Sequence, residues 1–134
     1  MSNAALAGQI DSLIGAPFVA GGRGPGYDCW GLAAEAMRRL GARVPDYDYD
    51  ADIVERPALV SVRIAEASAQ WVPCPPEPGA LVLLRNAPGV VNHLGVVVAP
   101  GRFLHTLIET GAYLVDLDNP LWRRRIIGFM RWNG

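Results

Sequence analysis

The chain contains no lysine, and all 12 of its basic residues are arginine. Set against 13 acidic residues they leave a formal net charge of −1, and the one basic run is Arg123-Arg124-Arg125. That balance carries no electrostatic footprint for nucleic acid, so no nucleic-acid partner is expected. Long apolar runs are missing as well: no stretch approaches the roughly 18 residues of a membrane span. A basic flank leading into an apolar segment is also absent, so no signal peptide is expected and synthesis is expected in the cytoplasm. Cysteine is scarce, with only Cys29 and Cys74. Two cysteines so far apart make a poor disulfide framework, and a Cys29–Cys74 bridge is disfavoured. Histidine is equally scarce, with only His93 and His105.

What is present is a globular composition. Residues 1–134 are 51% hydrophobic, enough for one domain, 1–134, with its own core. Leu6, Ile10, Leu13 and Ile14 have helical spacing over 4–14, and Gly15 and Pro17 end that pattern. A glycine-rich loop follows over 20–26. From Cys29 to Leu40 the apolar spacing is again helical, with Asp28 as a natural N-cap and Gly41 as a natural stop. Residues 44–58 read as a connection rich in Asp and Tyr, 59–71 as a weaker amphipathic helix, and 73–79 as a stiff linker. Strands are expected over Leu81–Arg85, His93–Ala99, Phe103–Ile108, Tyr113–Leu117 and Ile126–Trp132, separated by Pro/Gly turns. Helices first and an antiparallel meander second give an α+β class, with N-terminal helices packed on a mostly antiparallel sheet of five or six strands.

Three residues suggest chemistry. Cys29 stands at the front of a helix, where backbone N–H groups favour a thiolate over a thiol. His93 opens a β-run, and Gly95 on the same face leaves room beside its imidazole. In a hairpin turning near Pro100-Gly101, His105 falls opposite His93, with a register free to slip by a residue or two. Each residue alone has a plainer reading: a buried cysteine as a small hydrophobe, a strand histidine as satisfied core. Their joint placement fits a nucleophile, a base and a group orienting the base. Metal readings are weak. The Asp46/Asp48/Asp50 alternation departs from a calcium loop, with Ala51 where glycine belongs and Pro57 where glutamate belongs. Cys29, Cys74, His93 and His105 lack the close pair of a zinc site.

Four blocks in order resemble the NlpC family of papain-like cell-wall cysteine endopeptidases. They are Gly21-Gly22 through Asp28-Cys29-Trp30-Gly31-Leu32, Pro78-Gly79-Ala80-Leu81-Val82, His93-Leu94-Gly95-Val96, and Phe103-Leu104-His105. The resemblance implies Cys29 as nucleophile, His93 as general base and His105 as the orienting group. It implies the stem peptide of peptidoglycan as substrate, commonly at the D-glutamyl–diamino acid bond, with no metal or cofactor. Asp28, Trp30 and Phe18 fall at the substrate or oxyanion side. Many members carry a tyrosine where this chain has Phe18, so a hydroxyl is lost there. Ala80 replaces the usual Asp of that block, and the loop before Cys29 is one residue shorter than usual. Trp30 and Val44-Pro45-Asp46-Tyr47 resemble the subgroup found in tails of phages and phage-like particles. That implies tail proteins as partners and incorporation into such a particle. Two other readings stay open: a structural tail-tip subunit without useful catalysis, and a thiol amidase or acyltransferase on another substrate.

Overall fold

The computed structural model describes residues 8–134. The expected helix over 4–14 begins outside them. Within them, residues 8–11 are helical, and Ile10 and Leu13 are buried. Helix α1, Cys29–Arg39, starts where Asp28 caps it: the carboxylate accepts the Gly31 N–H at 2.8 Å. It ends where Leu40 donates back to Ala36 and Met37, and Gly41 takes a left-handed φ of 95°. Gly31 is required for a different reason. A Cβ there would lie 2.2 Å from the Gly22 carbonyl oxygen, so the glycine loop can lie against the first turn of α1 only without a side chain.

Helix α2, Pro57–Ala67, begins with proline at its first turn and continues as a 3₁₀ turn, Ser68–Gln70. It is preceded by another 3₁₀ turn, Ala51–Glu55, inside the expected connection. The helix stops short of Trp71, which opens an unexpected edge strand, β1, Trp71–Pro73. Trp71 leaves the helix because its ring is wanted elsewhere. It meets Trp132 at 5.3 Å and Trp30 at 6.1 Å, and its N–H donates to the Tyr47 hydroxyl at 3.0 Å. Pro73 is tolerated because β1 is an edge.

The remaining strands are β2 Leu81–Leu84, β3 His93–Ala99, β4 Arg102–Leu107, β5 Gly111–Asp116 and β6 Ile126–Trp132. They form one antiparallel six-stranded sheet in the order β1-β6-β2-β3-β4-β5. One face, with Leu81, Leu94, Val96, Leu104 and Ala112, packs on Leu32, Ala33, Ala36 and Met37 of α1. Ala80, Val82, Leu84, Val97, Phe103 and Val115 form a second cluster, closed by Trp122. Trp122 comes from a short helix, α3, Pro120–Arg123, which the sequence reading did not anticipate. Asn119 caps it, accepting from Leu121 and Trp122.

The β3–β4 register differs from expectation by two residues. Val96 pairs with Leu104 and Val97 with Phe103, which carries Gly95, not His93, opposite His105. An even slip keeps both histidines on one face. A Cβ on Gly95 would sit 3.0 Å from the Phe103 ring and 3.4 Å from the His105 Cβ. The missing side chain is therefore the space the histidines use to meet.

Gly31→Ala tests the loop contact. The added carbon must displace backbone, and overpacking of that kind costs roughly 1–3 kcal/mol. A lower urea midpoint with unchanged slope is expected; an unchanged midpoint would show that the Gly22 loop is free to move.

Candidate active site

Asp28 is 1% exposed and is the hub of the site. One oxygen accepts from Gly31 N–H, and the other from Gly21 N–H at 3.1 Å and from the Tyr49 hydroxyl. Arg23 approaches it at 3.5 Å. The same guanidinium donates to the carbonyls of Gly21, Gly22 and Tyr47 and to Asp46 at 3.1 Å, and lies 5.2 Å from the centre of the Tyr49 ring. Asp46 also accepts from the Trp30 indole at 3.4 Å. Residues 46–49, within the expected connection rich in Asp and Tyr, thus strap the glycine loop to the start of α1. Arg23 and Tyr49 were missed as site residues; the only signal was an arginine standing alone in a loop of glycines.

Cys29 is half-buried and lines a cleft of about 120 Å³ with Phe18, Asn86, Asn92, His93 and Thr106. Among the described residues no hydrogen bond joins the thiol to His93; the two share the cleft. Past Cys29 the space continues into a smaller cavity of about 70 Å³, bordered by Asp28, Trp30, Tyr49 and Leu94. Beyond it opens a groove of about 410 Å³ lined by Trp30, Tyr47, Tyr49 and Arg63. His93 Nε2 and His105 Nδ1 are hydrogen-bonded at 2.9 Å, and the residues are 4% and 1% exposed. Phe18 borders the cleft and bridges to Tyr27 through its backbone. All six residues singled out from sequence therefore lie along one cleft or directly behind it. Both cysteines are free thiols; Cys74 packs against the second cluster, Cys29 against the first. A larger cavity of about 520 Å³, between α1 and the C-terminal end of β6, contains neither Cys29 nor a histidine. Among the described residues no group of three His, Cys, Asp or Glu is placed to hold a metal ion. Among them, too, no helix is long and apolar enough to cross a membrane.

The sequence matches the NlpC/P60 family over residues 15–131. The chain belongs to the NlpC/P60 family. Members of this family are known as peptidoglycan hydrolases acting as cysteine peptidases. Solved NlpC/P60 structures share its fold. An NlpC/P60 family protein from Bacillus cereus superposes with a TM-score of 0.66 at 18% identity, covering 100% of this chain and 41% of that one. NlpC1 from Trichomonas vaginalis gives 0.64 at 20% identity, covering 97% and 44%. The NlpC/p60 domain of the peptidoglycan hydrolase SagA gives 0.55 at 18% identity, covering 98% of each chain. This chain thus spans about two fifths of the larger relatives' length. Comparison with curated proteins finds no match.

The electrostatics of this NlpC/P60 site depart from the expected thiolate. Burial, and then the Asp28 charge, push the Cys29 thiol up to about 12, although backbone N–H groups of Leu94, Trp30 and Cys29 itself act the other way. The helix dipole is therefore outweighed, and the resting sulfur is a thiol. Burial lowers His93 to about 4; burial and then His93 lower His105 to about 3. At pH 7 the resting cleft holds a neutral thiol and two neutral imidazoles.

Two measurements check this state. Iodoacetamide labelling of Cys29 should rise steadily with pH between 6 and 9 without levelling off, because the thiolate fraction keeps growing. A plateau near neutral pH would contradict the neutral thiol. For stability, the unfolded chain binds protons at histidines near the ordinary value of 6.5, whereas the folded chain does not until about 4. Stability is thus complete above about pH 6.5 and falls as the pH drops toward 4, by roughly 3 kcal/mol for His93 alone. Urea midpoints should fall between pH 7 and 5; equal midpoints would mean that the histidines are not held neutral.

Proposed function

We propose that this chain is a cysteine peptidase that hydrolyses peptidoglycan stem peptides, at the D-glutamyl–diamino acid bond, through Cys29, His93 and His105. The observation that carries the reading is one cleft lined by both the thiol at the start of α1 and His93, which is hydrogen-bonded to His105. His93 Nε2 is engaged by His105, so Nδ1 is the nitrogen left for the thiol. Sulfur attacks the scissile carbonyl as its proton passes to His93. The anion then sits on the carbonyl oxygen and the cation on the imidazole, so the two charges appear together in a cleft that disfavours either alone. Backbone N–H groups of Cys29 and Trp30 offer donors to that oxygen, each typically worth about 3 kcal/mol. His93 returns the proton to the leaving amine, giving a thioester. Water, losing a proton to His93, cleaves the thioester and restores the thiol.

Asp28 holds the nucleophile's turn in place, Trp30 walls the groove beyond Cys29, and Phe18 borders the other end. Trp30 and Val44-Pro45-Asp46-Tyr47 support a setting in a phage tail or phage-like particle that opens the wall locally, with other tail proteins as partners. The second reading, a structural tail subunit with little catalysis, draws on Phe18, which has no hydroxyl to give. A thiol amidase or acyltransferase on another substrate would use the same three residues.

Purified sacculi decide between them. The wild type should release muropeptides whose new ends mass spectrometry assigns to D-glutamate and a diamino acid, and Cys29→Ala should release none. Equal release by both would remove Cys29 as nucleophile. No release by either would favour the structural subunit, and other products the amidase or acyltransferase.

A further inference from the structure

His105 has one nitrogen without a partner. Nδ1 meets His93, but Nε2 is buried and reaches no hydrogen-bond partner. The ring is boxed by aromatic neighbours. Tyr113 and Trp122 have ring centres 4.5 Å away, and Phe103 5.1 Å. Trp122 crosses the imidazole at 78°, an edge-to-face arrangement.

Such a box treats the two neutral forms of His105 differently. An aromatic face carries negative charge, and an N–H directed at it is weakly attracted. A nitrogen lone pair in the same place is repelled. We propose that the aromatic box around His105, with Trp122 as the wall that crosses it edge to face, selects the tautomer protonated at Nε2, and that Trp122 is a positioning residue for the base. The effect passes along one hydrogen bond. With its proton on Nε2, His105 presents a lone pair at Nδ1. His93 must then donate from Nε2, which leaves a lone pair on His93 Nδ1, where the thiol proton is to go. The opposite tautomer puts a proton on His93 Nδ1 and blocks the base. Because burial keeps both rings neutral at pH 7, tautomer and not charge is the variable. The inference rests on the reading of His93 as the base of the proposed peptidase.

The chain has only two histidines, so their ring nitrogens can be read directly from long-range proton–nitrogen correlation spectra of the labelled protein at pH 7. Both rings should show the proton on Nε2. A His105 protonated at Nδ1, or at both nitrogens, overturns the proposal. Trp122→Leu removes the π face; mixed tautomers are expected, with kcat on a stem peptide falling roughly ten- to hundredfold and KM unchanged. Trp122→Phe keeps a π face and should keep the tautomer and most of kcat. A Leu variant with the wild-type tautomer ends the role of Trp122. Should that variant not fold, the Phe variant decides: a changed His105 tautomer there counts against the box. A wild type that shows both protons on Nε2 yet digests no sacculi would remove the peptidase reading and leave the tautomer assignment standing.

Discussion

The buried carboxylate of Asp28 is what joins the fold to the site. It caps α1, holds the glycine loop through Gly21, and takes the Tyr49 hydroxyl from the strap at 46–49. The glycine loop, the first turn of α1 and the strap thus meet on one side chain, immediately before the nucleophile candidate. A buried charge is tolerated only when its lone pairs are satisfied, and removing one partner of such a group is strongly destabilising. Arg23 supplies the counter-charge while spreading its own donors over Asp46 and three carbonyls. The arrangement also has an electrostatic consequence. The carboxylate that orients the first turn of α1 raises the thiol beside it, so position and reactivity are set by the same group in opposite senses.

The sheet separates the two halves of the site. Its α1 face fixes Cys29 through Leu32, Ala33, Ala36 and Met37; the other cluster, closed by Trp122, lies on the histidine side. The halves come together at the start of β3, where His93 lines the cleft with Cys29. A two-residue register shift leaves this intact because strand faces alternate with period two. A one-residue shift would send one histidine to the α1 face and break the pair. The glycine at 95 makes the tolerated register close enough for a 2.9 Å contact.

Local signals carried much of this to the sequence. The cap at Asp28, the helical spacing after Cys29, and the Pro/Gly turns between apolar runs each act within a few residues, and the elements they predict are present. The failures are long-range. Trp71 has helical neighbours, but its ring joins Trp30 and Trp132, and that contact turns it into a strand. Asp46, Asp48 and Asp50 are exposed, as an acidic connection should be, but the bonds of Asp46 to Arg23 and the Trp30 indole had no local signal. Trp122 sits in a four-residue helix too short to show a period. The backbone N–H groups at Cys29 act in the expected direction; they are outweighed by burial and by the Asp28 charge, and that burial comes only with folding.

The loss of a hydroxyl at Phe18 bears on where the oxyanion donors of the proposed reaction lie. Tyr49 also borders the space beside Cys29 and is the obvious replacement. Its hydroxyl, however, is already donated to Asp28, and burial together with that bond holds its proton more firmly than in a free tyrosine. Turning it toward a substrate oxygen would strip a partner from a buried carboxylate, an exchange that costs more than a single neutral hydrogen bond returns. Backbone N–H groups in the first turn of α1 need no side chain and no reorganisation. Their aim is set by the turn, the turn by its cap, and the cap by Arg23 and Tyr49. In the proposed reaction, the aim of these donors at the oxyanion therefore depends on residues that never touch it.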